Sequence, residues 1–489
     1  MPIPPDSFYL DRDGEGTLQH RIKRLVVDGI LSGRFHPRER LPSSRALARH
    51  LGVSRITVTL AYTDLVADDY LTARGRAGYF VSDTAPCGPV IDQTPAPEAA
   101  GVDWGRVIGS RGQSASRIMR PADWRSYRYP FVYGQTDPKL FDHQNWRLCA
   151  LQAVSQREFD TLTLDQYERD DPKLVEFILR QILPRRGIFA RPENILVTLG
   201  AQNALWLTAH LLLGPRRKAA MENPGYPGLR DVLQQTRCAV QAVDIDREGL
   251  PPAALAPGTD VVFVTASHHC PTNVTMPTTR RKEILHRAEQ QGFVVVEDDY
   301  EFELTFGRAP SPALKSLDER GCVIYIGSFS KSLFPGLRLG YLVAPEPFIE
   351  EARALRSTVL RHPPGLMQRT AANFLSLGHY DAQINRLRKT YQRRRHVMAQ
   401  ALRQHGLTIA GSAEEGGSSY WMATPDAVDA EDLARTLHPE GVIIEPGGPF
   451  FAPDTPDRRH YRLSYSSISS ARIGPGIELI AEKVAELAP

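Results

Sequence analysis

Four short apolar runs constrain this chain most: ENILVTLG, TDVVFVTAS, QGFVVVEDD and GCVIYIGSF. Each is rich in Val, Ile, Leu or Phe, is too short for a buried helix, and is bounded by polar or Gly residues. Each therefore reads as a buried strand. Longer stretches with helical spacing lie between them, such as RRKEILHRAEQQG, which stops at Gly292. Strands alternating with helices predict a mostly parallel sheet, an α/β fold.

These runs all fall in the last of three zones. Residues 1–82 are helix-patterned and compact, residues 83–120 are rich in Pro, Ala, Gly and Ser and read as a linker, and residues 121–489 are long enough for a two-part domain. Lys plus Arg is 59 and Asp plus Glu is 56, a net charge of +3, so any nucleic-acid surface must be local rather than global. The five cysteines are widely spaced and odd in number, which argues against a disulfide framework or a CxxC metal site; no metal is expected. The N-terminus has no apolar core of the signal-peptide kind, and no apolar run approaches the roughly 18 residues that span a bilayer. A cytoplasmic location with no membrane partner is the expectation.

Residues 17–35 place Leu18, Ile22, Leu25, Val26 and Ile30 on one helical face. A second helix, SSRALARHLG, opens on a Ser cap and stops at Gly52; Ser54 caps a third, SRITVTLAYTDLVADDYL. Helix, Gly-containing turn, helix is the helix-turn-helix pattern. TARGRAGYFVS adds two β-like runs around a Gly/Arg tip, which suits a wing. Arg34, Arg38, Arg40, Arg45, Arg49 and Arg55 cluster around the motif against Glu39 alone. Such cations meet phosphates, and side chains at a helix N-terminus reach base edges. The ordered pattern LPSSRALARHLGVSRITVTLAYTDL, followed by a Gly-bearing wing, closely resembles the GntR winged-helix family. The resemblance implies double-stranded operator DNA as partner, met by Arg45, Ser54, Arg55, Thr57, Thr59 and Gly75.

The sharpest motif is SFSKSLFPGLRLGYLVAP, Ser328 to Pro345. A Lys at a strand end, here Lys331, can form a Schiff base with a phosphorylated aldehyde while Ser328 and Arg338 bind its phosphate. Pyridoxal phosphate also needs a carboxylate at its pyridine nitrogen. VVVEDDYEFE offers Asp298, with Asp299 and Glu297 as alternatives, and Tyr300 can hydrogen-bond the phenolic oxygen. Ser328-x-x-Lys331 also fits a serine-acylation motif, but its companion Lys-Thr-Gly triplet is absent.

This order resembles the aspartate aminotransferase superfamily, fold type I, over about residues 125–485. The resemblance implies that Ala201 and Gln202 cradle the phosphate at a helix N-terminus. It implies that Tyr226 covers the ring, that Tyr167 reaches the phosphate of a neighbouring subunit, and that Arg462 grips an effector carboxylate. There are departures. The family's Asn-Pro-Thr-Gly reads Cys270-Pro271-Thr272-Asn273 here, which puts the Asn contact to the ring oxygen in doubt; His269 is at hand but reads more simply as packed. The segment around Tyr167 lacks the family's Gly turn and carries Asp170 and Asp171 instead.

A GntR-like head, a linker and an aminotransferase-like body together resemble the MocR family of bacterial transcription regulators. That implies a homodimer whose pyridoxal phosphate senses an amino acid or amine by exchange of the Schiff-base partner at Lys331, rather than an enzyme completing a cycle. The head and N-terminal stretch resemble regulators of ectoine breakdown, which points to a diamino acid. Two other readings stand beside this one: a working aminotransferase with a tethered DNA-binding domain, and a DNA-binding protein whose body has lost the cofactor.

Overall fold

The computed structural model describes residues 2–10, 16–86, 102–108, 120–306, 311–412 and 416–488. It divides into two units, Met1–Gly109 and Ser110–Pro489. Of the stretch 83–120, residues 83–86, 102–108 and 120 are described, and a short helix spans Trp104–Ile108. Cys87 lies outside the described residues.

In the first unit, α1 (Leu18–Leu31) starts on the Thr17 side chain, which accepts from the His20 N–H. It buries Ile22, Val26 and Ile30; Leu25 is partly buried, whereas Leu18, expected on the same face, is 43% exposed because it is the first helical residue. Ser43 caps α2 (Ser44–Leu51), and Gly52 ends it with φ +67°. Ser54 caps α3 (Arg55–Ala67) through the Thr57 N–H at 3.1 Å. Strands β1 (Leu71–Ala73) and β2 (Tyr79–Val81) pair antiparallel around a tip at Gly75–Ala77, forming the wing. Leu47, Val58, Tyr62, Leu65, Leu71 and Val81 join the α1 residues in one apolar core.

The second unit holds a seven-stranded sheet. Its order is Ile195–Thr198, Gly340–Val343, Val323–Ser328, Val294–Asp299, Val261–Val264, Lys218–Asn223, Ala239–Asp244. Gly340–Val343 runs antiparallel to both neighbours; the other pairings are parallel. All four apolar runs of the sequence lie in it as strands. The three further strands announce themselves less. Lys218–Asn223 has small Ala residues in place of Val and Ile, Ala239–Asp244 is a half-exposed edge, and Gly340–Val343 is a four-residue run at the end of the Lys331 motif. Parallel strands leave their carboxyl ends on one side of the sheet, where loops can converge on a ligand. Asp298, Asp299 and Ser328 stand at such ends.

A four-stranded antiparallel sheet follows, in the order Thr408–Ile409, Ser419–Ala423, His460–Ser464, Glu445–Pro446. The helices His379–Gln404 and Ser470–Leu487 pack with it; Met398, Leu402, Tyr461, Leu463, Ile473 and Ile477 share that core. This sheet delivers Glu445 and Arg462 to the site.

Candidate functional site

A cavity of about 340 Å³ lies at the carboxyl ends of the large sheet. Its lining gathers Ala201, Gln202, Tyr226, Asp298, Tyr300, Ser328, Lys331, Arg338 and Arg462 from stretches far apart in sequence. Tyr167 is not among them. It is 46% exposed and lines a separate hollow with residues 357–361.

One wall is built for an anion. The helix Ala201–Leu212 begins at Gly200, whose φ of +77° only Gly adopts readily; no side chain caps it, and its first N–H groups, like those of any helix start, lack intrahelical partners. The Arg338 guanidinium packs against Gly200 and donates to the Leu199 carbonyl at 3.2 Å. Ser328 and Ser330 complete this wall, with the Ser330 N–H donating to Ser328 Oγ at 3.2 Å. The Tyr226 hydroxyl donates to Gln202 Oε1 at 2.9 Å, which ties the ring to the same helix start.

The two adjacent aspartates have different surroundings. Asp299 accepts from Arg186 Nε at 2.7 Å and from the Tyr325 hydroxyl at 2.8 Å, so its charge is balanced. Asp298 lines the cavity, and its Oδ1 is buried with no partner among the described residues. Burial, with the negative Asp299 beside it, pushes the Asp298 carboxyl up to about 7. Glu297 points elsewhere, accepting from the backbone N–H groups of Leu314 and Lys315 at 2.8 Å. Of the three adjacent acids Glu297, Asp298 and Asp299, Asp298 is therefore the one that faces the cavity.

Burial also lowers the Lys331 amine, and Glu301 partly opposes that shift. The amine lies 4.2 Å from the Tyr133 ring centre. Gly134, at φ +73°, leaves room for it: a Cβ there would sit 2.4 Å from Lys331 Nζ. Tyr300 donates its hydroxyl to the His268 carbonyl at 3.0 Å. Cys270 lines the cavity where the family has Asn, its thiol pushed up to about 11 by burial. A thiol is a weak donor and cannot replace an amide there. Asn273 turns away and donates to the Ser419 carbonyl at 2.6 Å. His269 is buried outside the cavity lining, bonded to Thr272 Oγ1 at 2.7 Å, and burial lowers it to about 3, so it is neutral and packed.

The residues fit pyridoxal phosphate. An orphaned buried carboxyl suits a protonated pyridine nitrogen, the open helix start with Arg338 suits a phosphate, and a lowered amine suits Schiff-base chemistry. Sequence reasoning missed Tyr133, Glu301, Glu445, Phe450 and Arg120. Tyr133, beside Gly134, and Phe450, between Pro449 and Phe451, carry little signal beyond being aromatic. Glu301 sits inside the acidic run VVVEDDYEFE and could have been weighed.

In the winged helix, Arg45, Arg55 and Gly75 are exposed, and Arg45 and Arg55 form no ion pair among the described residues. Arg55 Nε lies 3.5 Å from Ser44 Oγ, which brings the starts of α2 and α3 side by side. Ser54 and Thr57 are engaged in the cap, and the Thr59 hydroxyl donates to the Arg55 carbonyl at 2.9 Å. Arg38, counted among the local cations, is paired with Asp83 at 2.7 Å.

Comparison with known proteins accounts for both units. The model of the gntR family of bacterial regulatory proteins matches residues 18–81, and that of aminotransferase class I and II matches residues 152–480. The chain belongs to the MocR family. Two relatives match it over nearly the full length of both chains. The HTH-type transcriptional regulator TauR of Rhodobacter capsulatus is 59% identical, covering 98% of this chain and 99% of its own. The probable rhizopine catabolism regulatory protein MocR of Rhizobium meliloti is 29% identical, covering 96% and 94%. Among solved structures, LysN, the α-aminoadipate aminotransferase of Thermus thermophilus, matches with a TM-score of 0.70 and 27% identity, covering 79% of this chain and 99% of that one. This MocR-type chain is thus a transcriptional regulator with a body of the pyridoxal-phosphate-binding fold, and its head is of the DNA-binding GntR type. No described helix is long and apolar enough to cross a membrane.

Proposed function

We propose that this regulator holds pyridoxal phosphate on Lys331 and uses it to report an amino acid or amine to the DNA-binding head. The unpartnered Asp298 carboxyl that lines the cavity with Lys331 carries the reading, because its buried Oδ1 would gain a partner when a cationic ring occupies the cavity. Bound there, the cofactor supplies a carbonyl that amines capture and a ring that withdraws electrons. The chain's own residues do the rest. Asp298 keeps the ring nitrogen protonated, and Ala201, Gln202, Ser328 and Arg338 fix the phosphate. Tyr226 covers the ring, Tyr300 stands near its phenolic side, and Arg462 meets the carboxylate of an amino acid. Tyr167, outside its own cavity and half-exposed, would serve a neighbouring subunit of a homodimer. In the head, Arg45, Arg55 and the Gly75 tip face DNA, while Ser54, Thr57 and Thr59 hold the start of the recognition helix.

The test uses the full-length protein loaded with pyridoxal phosphate. Lys331→Ala should remove the visible absorption of the Schiff base while the melting profile of the protein persists. A screen of amines and amino acids, including the diamino acids of ectoine breakdown, should find a ligand that shifts the spectrum and also changes affinity for DNA from the chain's upstream region. A normal Schiff-base spectrum in the variant overturns the assignment of Lys331. Sustained release of a keto acid from an amino acid would turn the body into a working aminotransferase.

A further inference from the structure

Arg462 does not stand in the cavity as a free cation. It faces Glu445 directly across adjacent antiparallel strands, so both side chains leave the sheet on one face. Arg462 Nε donates to Glu445 Oε2 at 2.9 Å, and Nη2 lies 2.9 Å from the same oxygen. The other carboxylate oxygen accepts from the Tyr133 backbone N–H at 3.3 Å. Both side chains are only 4% exposed, and both line the cavity. The Tyr133 and Phe450 ring centres lie 3.7 and 4.7 Å from the guanidinium carbon. The guanidinium is therefore fixed on one edge by a carboxylate and flanked by two rings. Its Nη1 has no hydrogen-bond partner among the described residues.

We propose that Glu445 is a specificity-determining charge filter in the anion subsite, admitting an effector with one anionic group and rejecting one with two. The proposal rests on reading this cavity as the effector site. The free Nη1 edge still offers hydrogen bonds to a single carboxylate, and its fixed orientation lowers the ordering cost of binding. Glu445, however, cancels most of the attraction that a lone buried guanidinium would exert, and it repels any second anion brought near it. Specificity is achieved here by a repulsive group as much as by an attractive one.

Glu445→Gln keeps the side-chain length and an acceptor for Arg462 but removes the charge. The probes are β-alanine, with one carboxylate, and L-aspartate, with two, titrated by calorimetry into full-length protein loaded with pyridoxal phosphate. The Gln variant should bind both at least about tenfold tighter than the parent, with the larger gain for L-aspartate. Where the parent gives no measurable heat, the variant should. Glu445→Asp keeps the charge and should keep the parent's weak binding. Should the Gln variant fail to melt cooperatively, the parent decides alone: it should bind β-alanine more tightly than L-aspartate, and equal or reversed affinities overturn the filter. Affinities within about twofold of the parent, weaker binding, or silence in both proteins overturn the filter while leaving the cofactor reading intact. A parent protein that takes up no pyridoxal phosphate overturns both.

Discussion

Replacing either of the two adjacent aspartates by Asn should change stability in opposite directions when the protein is free of cofactor. Asp298 has its carboxyl raised from 3.8 to about 7, chiefly by burial and then by Asp299. The folded protein therefore binds a proton that the unfolded chain has already lost, across the interval from about 3.8 to about 7. Stability falls as pH rises through that interval and is level above it. Each pH unit between the unfolded and folded values is worth about 1.4 kcal/mol, which sets a ceiling of about 4 kcal/mol at pH 8. Asp298→Asn should recover up to that amount at pH 8 and close to nothing below pH 4. Asp299→Asn should do the reverse. It leaves Arg186, itself fully buried, without the carboxylate that its Nε contacts at 2.7 Å. Breaking such a pair costs about 3–5 kcal/mol. The assay is urea unfolding of the cofactor-free, full-length protein from pH 4.5 to 8, following tryptophan fluorescence. Adding pyridoxal phosphate should then stabilise the parent more than the Asp298→Asn variant, because only a carboxylate pairs with a protonated ring. If Asp298→Asn is no more stable than the parent at pH 8, or if both substitutions act with the same sign, the environment assigned to Asp298 is wrong.

Two further outcomes are expected. Arg55→Ala should weaken specific operator binding by about 1–3 kcal/mol at fixed salt, with cofactor uptake unchanged; equal affinities in a gel-shift or anisotropy titration would remove Arg55 from the DNA interface. Arg462→Ala should leave Glu445 buried and unpaired and lower the stability of the body by about 3–5 kcal/mol in urea unfolding, while adding Glu445→Ala to it should restore part of that loss; strict additivity of the two changes would mean that the pair is not coupled.

Much of this architecture can be read in the chain itself, for identifiable reasons. The buried strands are short apolar runs, and the helix ends carry Ser caps and αL glycines, so local chemistry agrees with the fold. Lys331, Ser328 and Arg338 share one contiguous motif, and Asp298 and Tyr300 share another. What stayed hidden depends on contacts between distant segments. Nothing in the sequence pairs Glu445 with Arg462, because their opposition is a matter of strand register. The choice between Asp298 and Asp299 turns on alternation along a strand: the Asp299 side is claimed by Arg186, a residue 113 positions away. Tyr133 and Gly134 lie far ahead of the motif they serve. Leu18 belongs to the apolar face by spacing, but a helix's first residue has no turn before it to pack against.

The strand that carries Glu445 has only two residues and ends at Pro446. It is also the outer strand of its sheet. Outer strands with free N–H and C=O groups invite pairing with a strand from another molecule. Here the second residue has no N–H to offer, and the run is too short to template a ladder. The same brevity fixes alignment: sliding this strand by one residue along His460–Ser464 would put Pro446 opposite Arg462 and turn Glu445 to the opposite face. The Glu445–Arg462 ion pair thereby also penalises a misaligned strand, so the same contact that sets charge in the cavity helps to fix the register of the sheet.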